Sequence, residues 1–167
     1  ARWASSSRCP SAGTRADRSR PDDRLNRLLV IAHVLGGMLM VFAATFALPL
    51  AWSVAVGDGS HASFLVSGAS CLFVGAVVWA ATRRYRRELE PRDGALLVVI
   101  GWLLMSLAGA LPFILELPEL SFTDAYFETT SGLTTTGSTV LVGLDDLPPS
   151  LNIWRHTLHW LGGLGVI

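Results

Sequence analysis

A short run of threonine and glycine residues is the part of this sequence best suited to chemistry. It reads Gly132-Leu133-Thr134-Thr135-Thr136-Gly137-Ser138-Thr139. Backbone carbonyls and threonine hydroxyls in such a run can replace the water shell of a monovalent cation, provided that successive carbonyls point toward one axis. This arrangement requires backbone angles that a side chain usually forbids, and Gly137 has the necessary freedom. The run therefore predicts a place where oxygen atoms of the protein bind a dehydrated cation.

Two other ligand types fit the sequence less well. The spacing from Gly132 to Gly137 resembles a phosphate-binding loop, but Ser138 stands where that motif needs lysine, and no buried strand precedes it. His156 and His159 lie three residues apart, which is compatible with a metal site. Because no third ligand is in reach, packing or an interfacial position is the favoured interpretation of both histidines.

Three charged residues around the run each allow two interpretations. Asp124 and Glu128 could enrich cations at a pore mouth. Alternatively, Asp124 stabilises a helix start and Glu128 hydrogen-bonds nearby backbone behind the run, which we favour. Arg155 could repel ions, or it could pair with an acidic residue such as Asp145 or Asp146. We favour pairing, because charges within a membrane usually find partners.

The run follows a segment with the pattern of a short helix. Ser121–Leu133 is predicted to be helical, with Ser121 or Thr123 as the N-cap and Asp124 in the first turn. A helix of this length and polarity is too short to cross a membrane, and the chain afterwards returns to acidic Asp145-Asp146. The order of span, short helix, Thr/Gly turn and span predicts a re-entrant loop over residues 121–140.

The composition places this loop in a membrane protein. Hydrophobic residues make up 51% of the chain and charged residues only 16%. Ala62–Thr82 and Ala95–Leu115 contain no charged residue, and each is long enough to cross a bilayer. We predict a first span over Leu28–Leu48, ended or kinked by Pro49. The two charge-free stretches are the second and third spans, and a fourth begins after Pro148-Pro149.

The arginines predict how these spans are oriented. All thirteen basic residues are arginine; seven precede the first span and five lie between the second and third. The positive-inside rule then places the N-terminus in the cytoplasm and the region 116–146 outside. Residues 1–24 are predicted to be a disordered basic cytoplasmic tail, and no nucleic-acid partner is expected.

Four segments of the sequence resemble the Trk/Ktr potassium uptake family. The resemblance is carried by the stretch from Asp124 to Thr139 and by three flanking motifs, namely Pro91-Arg92-Asp93-Gly94, Gly109-Ala110-Leu111-Pro112-Phe113 and Trp160-Leu161-Gly162-Gly163-Leu164-Gly165. The family is built from four membrane–pore–membrane repeats around one pore. The resemblance therefore implies an all-α integral membrane fold, with two extra transmembrane helices over residues 25–90 and the first repeat over residues 91–167, truncated in its last helix.

The same resemblance implies what the chain does. Thr135, Thr136, Gly137 and Ser138 would supply filter carbonyls, with the potassium ion at Thr135 and Thr136 as transported substrate and no cofactor. The implied setting is a bacterial inner membrane, and the implied partners are a second copy of the chain and a cytosolic nucleotide-binding regulatory subunit. No covalent chemistry is expected. The alternative is a non-conducting membrane anchor or scaffold whose Thr/Gly loop is an extracellular turn.

Overall fold

The computed structural model describes residues 21–84 and 91–165, and these residues are entirely helical apart from their connections. The prediction of an all-α membrane fold is confirmed. Three segments are long and apolar enough to cross a bilayer, Asn26–Val56, His61–Thr82 and Asp93–Glu116. Residues 1–20 of the predicted tail lie outside the described residues. The last four residues of that predicted tail, 21–24, belong to the first helix, which begins at Pro21.

The first membrane segment consists of two helices. Helix α1 spans Pro21–Thr45 and α2 spans Ala47–Val56, with a break at Phe46. Pro49 has no N–H to donate to the carbonyl four residues earlier, and its ring crowds that carbonyl, so the helix breaks one turn before the proline. Of the two outcomes predicted for Pro49, the structure shows the kink and not the end of the span, because α2 continues past the proline to Val56.

Helix α3 spans His61–Thr82 and packs against α1. Two glycines allow this close approach. A β-carbon at Gly36 would lie 2.9 Å from the Trp79 nitrogen, and one at Gly75 would lie 2.9 Å from the Gly36 oxygen. Small residues that face each other in this way let two helix backbones approach closely. The resulting van der Waals contacts stabilise helix association in a membrane, where the hydrophobic effect does not drive it.

The second half of the chain has a long helix, a short helix and another helix. Helix α4 spans Pro91–Glu116, α5 spans Phe122–Leu133 and α6 spans Pro149–Gly165, with a 3-10 turn at Leu144–Asp146 before α6. The bounds of α5 agree with the predicted short helix. Helix α6 begins where the fourth span was predicted, but its 17 described residues are fewer than the roughly 20 that cross a bilayer. Its role as a span stays a prediction.

Trp154 of α6 holds these helices together. Its side chain is fully buried, stacks on Phe46 with ring centroids 4.4 Å apart and meets Phe42 edge to face. Its indole Nε1 donates a hydrogen bond to the Gly109 carbonyl of α4 at 2.9 Å. One residue therefore connects α6 to α1, to α4 and to the break before α2, and this connection fixes α6 beside the short helix.

Candidate functional site

Helix α5 begins with an N-cap that the sequence predicts. The Ser121 hydroxyl accepts a hydrogen bond from the Asp124 N–H at 3.1 Å, so Ser121 is the cap rather than Thr123. The same hydroxyl donates to the Asp124 carboxylate at 2.7 Å. Asp124 therefore stabilises the helix start, as the favoured interpretation predicted, and its charge also favours the positive end of the helix dipole.

The Thr/Gly run leaves the opposite end of α5 in a tight turn. The N–H groups of Thr134, Thr135 and Thr136 bond back to carbonyls of the last helical turn at 2.9–3.0 Å. The Thr134 hydroxyl donates to the Thr130 carbonyl at 2.8 Å and also lies 2.8 Å from the Thr136 hydroxyl. The run thus begins directly at the negative end of the helix dipole, which favours a cation.

The sign of φ alternates along the run from Thr135 to Gly137. Thr135 has φ +56° and Gly137 has φ +76°, while Thr136 between them does not have a positive φ. A repeated change in the sign of φ is able to turn successive carbonyl groups toward one side, whereas a regular β-strand sends them to opposite sides. A β-branched residue at positive φ is strained, by about 1–3 kcal/mol. Gly137 has no such cost, and a β-carbon there would meet nothing within 4 Å in the described part of the chain.

The carbonyl oxygens of this run fall into two groups. Among the described residues, no group donates a hydrogen bond to the carbonyls of Thr135, Thr136 or Gly137. The Ser138 carbonyl, in contrast, accepts a hydrogen bond from the Ser131 hydroxyl of α5 at 2.6 Å. Of the four predicted site residues, three therefore have carbonyl oxygens that accept no hydrogen bond from the part of the chain that the structure describes. The fourth, Ser138, holds the run against its helix through one lone pair.

Glu128 lies behind the run. The residue is buried, and its carboxylate accepts hydrogen bonds from the Thr139 hydroxyl at 2.9 and 3.0 Å and from the Val140 N–H at 3.2 Å. This is the position that the favoured interpretation predicted for it. Arg155 of α6 donates from Nε to the same carboxylate at 2.7 Å.

Arg155 pairs with an acidic residue, as predicted, but that residue is not one of the two that we expected. We expected Asp145 or Asp146, which are close in sequence, and both are exposed on the 3-10 turn. The side chain of Arg155 is 12% exposed and turns instead toward Glu128, whose side chain is 3% exposed. A buried carboxylate gains more from a cation than an exposed one, because water does not compete for it.

Glycines allow α4 and α6 to approach α5 closely. A β-carbon at Gly162 would lie only 2.0 Å from the Leu133 oxygen, so this glycine of α6 touches the backbone at the end of α5. At Gly132 a β-carbon would lie 3.0 Å from the Leu158 β-carbon, and at Gly109 it would lie 2.6 Å from the Thr129 methyl group. The base of the run is therefore enclosed by two neighbouring helices.

The two histidines of α6 show no metal-binding geometry. His156 is exposed, and His159 Nδ1 lies 2.9 Å from the Arg155 carbonyl of its own helix. Across the described residues, no group of three potential ligands could hold a metal ion. The packing interpretation fits the half-buried His159, whereas His156 is exposed and its interfacial position stays a prediction.

A contact that the sequence did not predict fixes the start of α6. Asp58, in the loop between α2 and α3, accepts hydrogen bonds from the Ser150 N–H at 2.9 Å and from the Ser53 hydroxyl. Burial opposes ionisation of Asp58, but the hydrogen bonds from Ser150, Ser53 and Ser60 outweigh it and hold the pKa of the carboxyl below its ordinary value. The loop thus caps the helix that carries Arg155.

Comparisons with known proteins agree with this architecture. Residues 60–167 match the model of the TrkH family, described as a cation transport protein. The Trk system potassium uptake protein TrkH of Vibrio parahaemolyticus is 42% identical over 138 residues, which cover 82% of this chain and 28% of that protein. The protein of the same name from Escherichia coli K12 is 41% identical, over 82% of this chain and 29% of its own length.

A solved structure shows the same fold. The crystal structure of the potassium transporter TrkH from Vibrio parahaemolyticus superimposes with a TM-score of 0.78 and 41% identity, over 83% of this chain and 30% of that one. The chain thus spans about 30% of the length of the relatives it matches. With a family model matching well over half of its residues, the chain belongs to the TrkH family of cation transport proteins.

Proposed function

We propose that this chain supplies one ion-conducting segment of a potassium uptake transporter, in which the carbonyl oxygens of Thr135, Thr136, Gly137 and Ser138 face the ion. The observation that carries the proposal is the set of three consecutive carbonyl oxygens without a hydrogen-bond donor among the described residues. Carbonyl oxygens left in this state are available to a cation that has lost its water. The potassium ion is transported substrate, with its contacts at Thr135 and Thr136.

Dehydration is the step that these oxygens make possible. An ion entering the segment exchanges water for carbonyl oxygens, and the negative end of the α5 dipole lowers the cost of holding positive charge there. The alternation at Thr135 and Gly137 supports the required carbonyl direction. No covalent step and no cofactor take part in this mechanism.

The segment needs further oxygens to surround an ion. Irregular backbone at membrane depth is stable only where it is buried in protein or lines water. Because the chain spans about 30% of its relatives, we propose that other parts of a longer protein complete the ring. We further propose a homodimer in a bacterial inner membrane, with a cytoplasmic N-terminus and a cytosolic nucleotide-binding regulatory subunit.

Gly137→Ser tests the filter assignment. The complete transporter that carries this chain is expressed in a strain deficient in potassium uptake, and rubidium, potassium and sodium uptake are measured. Serine at φ +76° is strained by about 1 kcal/mol or more, so the backbone shifts and the preference for potassium over sodium falls. Gly143→Ser, also at positive φ but beyond the filter, is the matched control.

The two candidate functions predict different results in this experiment. A filter residue changes the ratio of potassium to sodium uptake, and the control leaves it unchanged. If the Thr/Gly loop were an extracellular turn of a non-conducting scaffold, the unmodified protein would not restore growth at low potassium. An unchanged ratio in Gly137→Ser would remove Gly137 from the filter.

A further inference from the structure

We propose that Glu128 and Arg155 act together as a positioning pair that sets the spacing of the outer filter backbone and thereby the preference for potassium over sodium. This inference rests on the proposed function and goes beyond it, because neither side chain belongs to the ion-facing residues. The two side chains stand behind the run, on α5 and α6 respectively, with the nitrogen and oxygen 2.7 Å apart.

The carboxylate of Glu128 connects the helix to the far end of the run. Thr139 and Val140, eleven and twelve residues later in the chain, both donate to it. The next attachment toward the ion-facing residues is the hydrogen bond between Ser131 and the Ser138 carbonyl. Because residues 134–140 are otherwise exposed, these few bonds determine where the outer part of the run lies.

Arg155 pairs with that carboxylate and fixes its position. An ionised carboxylate that is 3% exposed is costly without a cation, and removing one partner of a buried pair is more damaging than replacing both. The pair is also electrically neutral as a whole. The run is therefore held by a charged acceptor, whose hydrogen bonds are stronger than those of a neutral one, without a net negative charge behind the filter.

The backbone of Arg155 is held by the rest of the molecule. Its neighbour Trp154 is fully buried and bonded to the Gly109 carbonyl, and the start of α6 is capped by Asp58. The guanidinium therefore projects from a rigid helix. The guanidinium holds Glu128, and Glu128 holds Thr139 and Val140 at a set distance from α6. In this way a pair that does not touch the ion determines the size of the ion site.

The test compares ion preference in the complete transporter, after normalisation for protein in the membrane. Thr139→Val removes the hydroxyl bonded to Glu128 while keeping the shape of the side chain and both charges. We expect the ratio of potassium to sodium uptake to fall about tenfold, the factor that corresponds to one lost charge-assisted hydrogen bond. Asp124→Asn, which removes a carboxylate of the same helix that bonds only at the helix start, should keep the unmodified ratio.

Replacement of the pair itself provides a rescue measurement. Arg155→Gln and Glu128→Gln should each lower the ratio at least as far as Thr139→Val, because each leaves a buried charge unpaired. The double replacement should recover most of the ratio, since a neutral amide pair keeps an acceptor for Thr139 and leaves no charge. A merely structural role would change the amount of folded protein but not the ratio.

The outcomes separate this inference from the proposed function. Absence of potassium uptake by the unmodified protein would overturn both. Normal uptake with an unmodified ratio in Thr139→Val would overturn the positioning role alone, and so would a double replacement no better than its two single variants. Thr139→Val decides the question even where the charge variants do not reach the membrane.

Discussion

Gly162 and Gly163 are neighbours in α6, but a side chain at each would meet different surroundings. A β-carbon at Gly162 would overlap the Leu133 backbone oxygen, only 2.0 Å away, whereas one at Gly163 would lie 4.0 Å from the nearest atom, a Thr135 methyl group. Backbone cannot rotate aside as a side chain can. The three glycines of this motif indicate that another element can pack closely against α6. Only the position of the end of α5 in the structure shows that Gly162 makes this close contact and Gly163 does not.

Gly162→Ala should therefore destabilise the protein, and Gly163→Ala should not. We expect Gly162→Ala to lower the free energy of unfolding by about 1–3 kcal/mol, as overpacking does, and to reduce ion uptake by displacing the base of the run. Gly163→Ala should be neutral or slightly stabilising, because alanine is the better helix former. Thermal unfolding of both variants in detergent measures the difference. Equal unfolding midpoints would contradict the close approach.

At the scale of elements, the bounds of the short helix and the Thr/Gly turn follow from local signals. Ser121, Asp124 and the glycines act on the backbone within a few residues of themselves, so the sequence alone predicts α5 well. Partners between elements do not follow from such signals. Arg155 lies 27 residues from Glu128, and Asp58 lies 92 residues from Ser150. Sequence proximity suggested Asp145 or Asp146 for Arg155, but burial decided the pairing.

Asp58→Asn tests the cap that joins two of these elements. The pKa of Asp58 is lowered in the folded protein, so ionisation favours the folded state. This contribution is fully present above the ordinary aspartate pKa of about 4 and is lost as the pH falls through the lower folded value. We expect Asp58→Asn to lower stability by about 1 kcal/mol near neutral pH, because a charge leaves the helix start. The deficit should begin to shrink below about pH 4 and disappear once the pH is below the lowered pKa of Asp58 in the folded protein.

Thermal unfolding between pH 3 and pH 7 measures this deficit. Asp145→Asn is the control, since Asp145 is exposed and makes no hydrogen bond among the described residues. Its midpoint should follow that of the unmodified protein throughout. A deficit for Asp58→Asn that persists unchanged at the acid end would show that the carboxylate acts through its shape and not through its charge.

At the scale of the whole molecule, one buried ring is among the contacts that join α1 and the break before α2 to α4 and α6. Trp154 contacts Phe42 and Phe46 from the first membrane segment and bonds to Gly109 of α4. Hydropathy predicted the second and third membrane segments over nearly their observed lengths, because length and apolar content decide whether a helix crosses a bilayer. The first segment, predicted to end at Leu48, continues to Val56. Hydropathy could not show that the first two spans pack onto the repeat, because an apolar helix surface facing lipid looks the same as one facing protein.

Trp154→Phe tests whether this ring couples the two parts. Phenylalanine keeps an aromatic face against Phe46 but leaves a small cavity and removes the donor to the Gly109 carbonyl, so we expect a loss of roughly 2 kcal/mol. Trp160→Phe is the matched control, because Trp160 lies on the same helix and is 75% exposed, where substitutions change stability by about 0.5 kcal/mol or less. If the ring couples the leading helices to the repeat, Trp154→Phe should also make α1 more accessible. Hydrogen exchange of α1 and α4 amides in detergent measures this, and exchange confined to α6 would mean that the leading helices are held by other contacts.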